Sequence, residues 1–250
     1  MNADFEPVRA NLGQQVFHYL RDRIYQMEYE PGTKLGVGEV ADQLNVSRSP
    51  VRDAFLMLVA EGIVVPLQSG GCKVIEFDRK YINNVFTMRR ALELTAVRLT
   101  AESPDQTRVE KLRQTWISLR DADDSDPSYV ESHIRADNDL HQQIAEMSQN
   151  PLLQDALAKI ISIAGMIRRW QYAGTSLPHH LRITCEEHLQ MIEAILAGEA
   201  DAAVAAMDVH LSNAHERSLA RLDVANAAAS AEAEAQKTNQ QANNSRKRRK

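Results

Sequence analysis

Residues 44–54 read LNVSRSPVRDA, and this stretch decides the architecture of the first third of the chain. Asn45-Val46-Ser47 is a tight connection. Ser47 or Ser49 supplies a helix N-cap, and Pro50 sits in the first turn. Val51, Ala54, Phe55 and Leu58 then recur at helical spacing and face inward, which leaves Ser47, Arg48, Ser49 and Arg52 outside. Arg48 and Arg52 lie one helical turn apart, on one face. Two arginines and two hydroxyls at a helix N-terminus have the chemistry of major-groove reading. A guanidinium fork matches guanine, and a serine hydroxyl suits a phosphate. The same residues on an isolated helix would only be a solvated face, so their setting decides.

Upstream, Val16, Leu20, Ile24 and Met27 predict a helix over 13–28, ended by Tyr29-Glu30-Pro31-Gly32. A short helix follows over 37–44. Downstream, Gly62 stops the third helix near Glu61. Ile63-Val64-Val65 and Cys72-Lys73-Val74-Ile75 then flank Pro66 and Ser69-Gly70-Gly71 as a β-hairpin. Helix, short helix, turn, helix, hairpin is the order of a winged helix-turn-helix, assigned to residues 1–77. Gly70 and Gly71 allow the hairpin tip to approach a nucleic-acid backbone closely.

Residues 78–224 carry no strand pattern. Helices are expected at about 78–101, 103–120, 128–148, 151–172, 179–197 and 199–224, with Ser103-Pro104, Asp126-Pro127 and Asn150-Pro151 as starts and Gly174 and Gly198 as stops. The fold class is therefore mostly α: a winged helix-turn-helix followed by an all-α bundle, in which ligand sites form between facing helices. Residues 225–250 are Ala-rich, then polar, and close with SRKRRK; they read as a fraying helix and a disordered basic tail.

Several apolar stripes of the bundle carry a polar residue where a core residue is expected. The stripes read Ile82-Val85-Arg89-Leu92, Ile134-Asp137-His141-Ile144, Leu181-Cys185-His188-Ile192 and Ala203-Met207-His210-Ala214. Burying such groups costs several kcal/mol each unless they are paired or bound to a metal. Asp137 and His141 share one face of their helix. With His188 and His210 they form a donor set suited to a divalent transition metal, with Zn, Ni and Mn all compatible. His133, one turn before Asp137, is a possible substitute ligand. His18, His179, His180 and His215 read as surface or capping residues, and Glu187 points about 100° away from His188. Arg89 either serves the metal site, by neutralising its carboxylate or anchoring an anionic ligand, or pairs structurally with a glutamate such as Glu93.

The 250 residues carry a net charge of -5, which argues against a broad nucleic-acid-binding patch. The charge is uneven. Residues 1–77 hold 7 basic against 10 acidic side chains, residues 78–224 hold 16 against 22, and residues 225–250 hold 6 against 2. A reading head at -3 must work through a few placed arginines and through pairing of two heads. Cys72 and Cys185 form no CxxC pair, and no apolar run approaches the roughly 18 residues of a membrane span. A cytoplasmic protein with no membrane partner is expected. A metal-dependent hydrolase using Asp137 and the three histidines is the alternative, although no general base is evident beside them.

Pro31-Gly32…Leu35, Leu44 to Ala54, Leu58…Glu61-Gly62 and Gly70-Gly71…Val74 resemble the DNA-binding domain of GntR-type transcriptional regulators. The remainder resembles the FCD effector domain of the FadR subfamily, through Arg89-x-x-Leu92-Glu93, Asp137-x-x-Leu140-His141, Asn150-Pro151-x-Leu153, Glu187-His188 and Met207-x-x-His210. The resemblance spans about residues 12–222. It implies DNA contacts from Arg48 and Arg52, metal ligands at Asp137, His141, His188 and His210, and Arg89 near a bound small organic acid. It also implies a homodimer on a pseudo-palindromic double-stranded operator, most simply a repressor of a catabolic operon released by that acid. Two departures touch the DNA contacts: Gly36-Val37 stands where the family often has Ser-Glu, and Gly70 where it often has arginine.

Overall fold

The computed structural model describes residues 12–172 and 178–247, with side chains over 12–172 and 180–231. The predicted stop at Gly174, the His179 side chain and residues 248–250 of the basic tail lie outside the described residues.

The head follows its apolar periodicity. Helix α1 (Leu12–Tyr25) buries Val16, Leu20 and Ile24 against α3 (Arg48–Glu61), which buries Val51, Ala54, Phe55 and Leu58. Between them α2 (Val37–Leu44) stops at Asn45, whose left-handed φ of 51° turns the chain. Ser47 is the N-cap of α3 and adopts an extended backbone, with no side-chain cap bond. Gly62 ends α3 at φ 75°. The predicted hairpin is one strand wider than expected. Strands β1 (Lys34–Leu35), β2 (Val64–Pro66) and β3 (Cys72–Val74) form an antiparallel sheet in the order β1-β3-β2, with Leu35 opposite Cys72 and Val64 opposite Val74. Two residues were too few for a period-2 signal at β1.

Gly71 holds the wing to the head. It has φ 90°, and a Cβ there would collide with the Leu35 carbonyl oxygen. Gly71→Val is therefore expected to lower stability by roughly 1–3 kcal/mol, read as the urea midpoint. An unchanged midpoint would show that the wing does not depend on this close approach.

The bundle consists of α4 (Arg79–Glu102), α5 (Gln106–Asp121), α6 (Tyr129–Met147), α7 (Pro151–Tyr172), α8 (Pro178–Leu196) and α9 (Ala200–Lys247). Asp78 and Asp105 cap α4 and α5 by accepting bonds from the backbone N–H of Tyr81 and Arg108. The second N-cap places the start of α5 slightly later than Ser103-Pro104 suggested. A core around the fully buried Trp116 joins α4 to α9. Where the sequence suggested a fraying end after 224, the described backbone stays helical through Lys247. Ala225–Ala235 is rich in the strongest helix former, and neither Gly nor Pro interrupts α9.

Head and bundle share apolar packing. Ile163, Met166 and Ile167 of α7 and Leu222 of α9 belong to the same buried cluster as Leu20, Leu58 and Phe77. No described helix is long and apolar enough to cross a membrane.

Candidate metal centre and nucleic-acid face

Asp137 and His141 reach the bundle interior from α6, His188 from α8 and His210 from α9. All four are buried, and one potential ligand atom from each lies within 4.8 Å of the others. Nε2 of His141 is 3.5 Å from Asp137 Oδ2, and Nε2 of His188 is 3.6 Å from Asp137 Oδ1. The imidazoles crowd together, with 4.3 Å between the ring centroids of His188 and His210.

Carboxylates orient two of these rings from behind. Glu93 lies 2.5 Å from His141 Nδ1, and Glu187 lies 2.8 Å from His210 Nδ1. For His210, an Nδ1–H donated to Glu187 leaves the Nε2 lone pair free for the shared centre, the arrangement that orients metal-binding histidines; His141 Nε2 lies 3.2 Å from Arg89 NH2. Burial lowers His210 to about 4 despite the Glu187 bond, and burial with the neighbouring imidazoles lowers His188 well below its usual range. Both rings are therefore neutral near pH 7, the form that offers a lone pair. His210 Nε2 and both nitrogens of His188 are buried without a hydrogen-bond partner. Such orphaned atoms are costly unless something binds them, so the donor set fits a divalent cation.

Glu187 was expected to turn away from the site. It faces α9 instead, where it holds His210 and meets Asn213 and Arg217. Burial raises its pKa, but the His210 and Arg217 bonds outweigh this and bring it down to about 2. A rotation of 100° from His188 still leaves Glu187 inside, because α8 packs against both α5 and α9. His133 is also buried, but its Nε2 meets the Leu181 carbonyl at 3.1 Å and lies outside the four-residue group. His18 is exposed, His180 is partly buried, and His215 stacks on Phe86 while bonding Asn83.

Of the two readings of Arg89, the structure shows the ion pair. Its Nε lies 2.5 Å from Glu93 Oε1, both side chains are buried, and its NH2 is 3.2 Å from His141 Nε2. Burial opposes ionisation of Glu93, but Arg89 and His141 prevail and hold the carboxyl well below the usual range. Glu93→Ala would leave the guanidinium buried and unpaired, and is expected to cost about 3–5 kcal/mol of stability in chemical denaturation. A loss under about 1 kcal/mol would mean that His141 or water replaces the carboxylate.

The guanidinium that meets Asp137 is Arg168 of α7, which the sequence reading missed. It forms an ion pair with Asp137 Oδ2 and donates to Asn138 Oδ1 at 2.7 Å. Its signal was the stripe Ile161-Gly165-Arg168-Tyr172, buried along its length. Gly165 permits the approach, since a Cβ there would stand 2.8 Å from Asn138 Oδ1. Arg168 and Arg217 also line a small cavity beside Asp137 and His210, with Tyr172 and Thr184; its volume is about 20 Å³. Arg89 is not among its lining residues.

On the head, Arg48, Arg52, Gly70 and Gly71 share one cleft of about 670 Å³ between α2, α3 and the wing. Ser47, Arg48, Ser49 and Arg52 are all exposed. Leu56, one turn beyond Arg52, lines the same cleft and is 70% exposed; the inward stripe of Val51, Ala54, Phe55 and Leu58 leaves it outside, but the sequence reading did not single it out.

The model of bacterial regulatory proteins of the gntR family matches residues 12–74, and that of the FCD domain matches residues 84–213. The chain belongs to the GntR family, with an FCD domain. This GntR protein is a DNA-binding transcriptional regulator and not an enzyme, which sets aside the hydrolase alternative. It is 26% identical over 205 residues to the HTH-type transcriptional repressor RspR of Escherichia coli K12, covering 82% of this chain and 88% of that one. It is 27% identical over 210 residues to the HTH-type transcriptional regulator LutR of Bacillus subtilis 168, covering 76% and 93%. Its fold matches E. coli McbR/YncC with a TM-score of 0.69 at 21% identity, over 86% of this chain and 100% of that one. It also matches a GntR regulator from Rhodococcus sp. RHA1 with a TM-score of 0.67 at 20% identity, over 84% and 99%.

Proposed function

We infer that this regulator is a metal-containing repressor that binds a pseudo-palindromic operator as a homodimer and is released by a small organic acid. The observation that carries the reading is the buried Asp137-His141-His188-His210 group with its unpartnered histidine nitrogens. These four residues would hold a divalent ion, Zn, Ni or Mn. The ion would supply a Lewis-acidic position for a carboxylate oxygen.

The protein's own residues do the rest. Glu93 and Glu187 fix the rings of His141 and His210. Arg168 and Arg217 offer guanidinium forks to the acid's free oxygens. Arg89, already spent on Glu93, braces His141, so the anchoring role passes to Arg168. The cavity has room for about one water, so an acid enters only by displacing a side chain. At the other end, Arg48 and Arg52 read base edges, Ser47 and Ser49 hold phosphates, and Gly70 and Gly71 bring the wing tip to the backbone. The head at -3 has no broad basic surface, which favours recognition by two paired heads.

Operator selection from random duplex DNA tests the reading. An inverted repeat with half-sites about one helical turn apart is expected. Enrichment of single, unpaired half-sites, or of no sequence at all, would refute the dimeric operator.

A further inference from the structure

Adjacent arginines of α7 bond to α6 at different levels. Arg168 enters the buried cluster, paired with Asp137 and Asn138. Arg169 meets α6 about two turns earlier on the helix, at Glu131. Its NH1 and NH2 form a two-bond fork with Glu131, at 2.6 and 2.8 Å. NH1 also donates to Gln26 Oε1, at 3.1 Å, just past the end of α1 in the DNA-binding head. One guanidinium therefore holds α6, α7 and the head together. The Tyr25 hydroxyl meets Ser162 of α7 nearby, and Phe77 packs on Trp170 with 5.4 Å between ring centroids.

α7 thus has two working faces. Ile163, Met166, Ile167 and Trp170 pack with the head, while Gly165 and Arg168 lie on α6. Asp137 is the only carboxylate that meets Arg168 among the described ion pairs, and it is also a member of the proposed metal set. A cation that takes the Asp137 charge weakens its hold on Arg168, and an anion in the cavity competes for the same guanidinium. Either event loosens α7 from α6 at Arg168, and a rigid helix carries the shift one residue along to Arg169.

We propose that Arg169 is the coupling residue of this regulator: through Glu131 and Gln26 it transmits occupancy of the Asp137 site to the head. This rests on the metal reading above. Arg169 is a positioning residue that touches neither the metal set nor the cleft of Arg48 and Arg52. Its removal should uncouple the two sites and spare both, because coupling is a free energy separate from either affinity.

The test uses the full chain and metal alone, Ni²⁺ first. Loading is read from Trp116, whose ring centroid is 4.1 Å from that of His188 and whose emission a bound transition metal quenches. Coupling is read from Ni²⁺-induced changes in hydrogen exchange of the α1 amides. Arg169→Ala and, from the head side, Gln26→Ala are each expected to bind Ni²⁺ within about twofold of the parent while losing the α1 response. Arg169→Lys, which keeps the charge without the fork, should recover part of it. Full retention of the α1 response in both alanine variants would overturn the role of Arg169. A parent that binds Ni²⁺ with no α1 response would also overturn the coupling and leave the metal reading standing. A parent that binds none of Ni²⁺, Zn²⁺ and Mn²⁺ would overturn both.

Discussion

Arg48→Ala/Arg52→Ala is expected to reduce operator binding to the level of random DNA, a loss of roughly a thousandfold or more. Each arginine fork on a base edge is worth about 1–3 kcal/mol, and the proposed homodimer would lose each contact twice. Both side chains are exposed, and neither forms an ion pair or side-chain bond among the described residues, so stability should change by less than about 0.5 kcal/mol. The head carries no net positive surface to compensate. Fluorescence anisotropy on a selected operator and on scrambled DNA, with a thermal melt alongside, checks both statements. A double variant that still prefers operator over scrambled duplex tenfold would move recognition elsewhere, to the wing or to Leu56.

The second large effect lies in the bundle. The cluster buries His188 and His210 as neutral rings with unpartnered nitrogens beside Asp137. A cation that binds the folded chain and not the unfolded one stabilises it by mass action, by about 4 kcal/mol when free metal is about a thousand times Kd. For chains of this size that corresponds to a rise in Tm of roughly 8–16 °C. His188→Ala is expected to abolish the rise, because it removes a central ligand without leaving a buried charge. Asp137→Ala is a poorer probe, since it also strands Arg168. A parent protein with the same Tm in excess chelator and in excess Zn²⁺, Ni²⁺ or Mn²⁺ would contradict a metal site.

Much of this account was legible in residue spacing. The recognition helix announced itself through a short connection, a capping serine and an apolar stripe, all local signals. The four metal candidates stood out because each interrupts such a stripe, and the cost of burying them demanded a partner. Glu93 was recognised as a partner for Arg89 because helix geometry brings positions four apart together. What escaped notice depends on how helices pack on one another. Glu187 was discounted from its angle on α8 alone, yet α9 lies on that side. Arg168 sits on an inward stripe, but its partner is on a neighbouring helix. The contact of Arg169 with Gln26 joins residues 143 apart in sequence and has no local signature. β1 was missed because its pairing with β3 is a tertiary fact. Residues beyond 224 were read as a fraying helix and a disordered tail, whereas the described backbone is helical through Lys247. Low hydrophobicity signals that a segment lacks a core, not that its backbone leaves the helix.

The central claim is that a buried Asp/His₃ site in a GntR regulator holds a metal and sets the state of a paired DNA-binding head. Native mass spectrometry of the purified full-length protein tests it most directly. The account predicts a dimer carrying one divalent ion per chain, stripped by chelator and absent from His188→Ala, with a co-purified small acid as further retained mass. A metal-free mass after incubation with Zn²⁺, Ni²⁺ and Mn²⁺ in turn would contradict it.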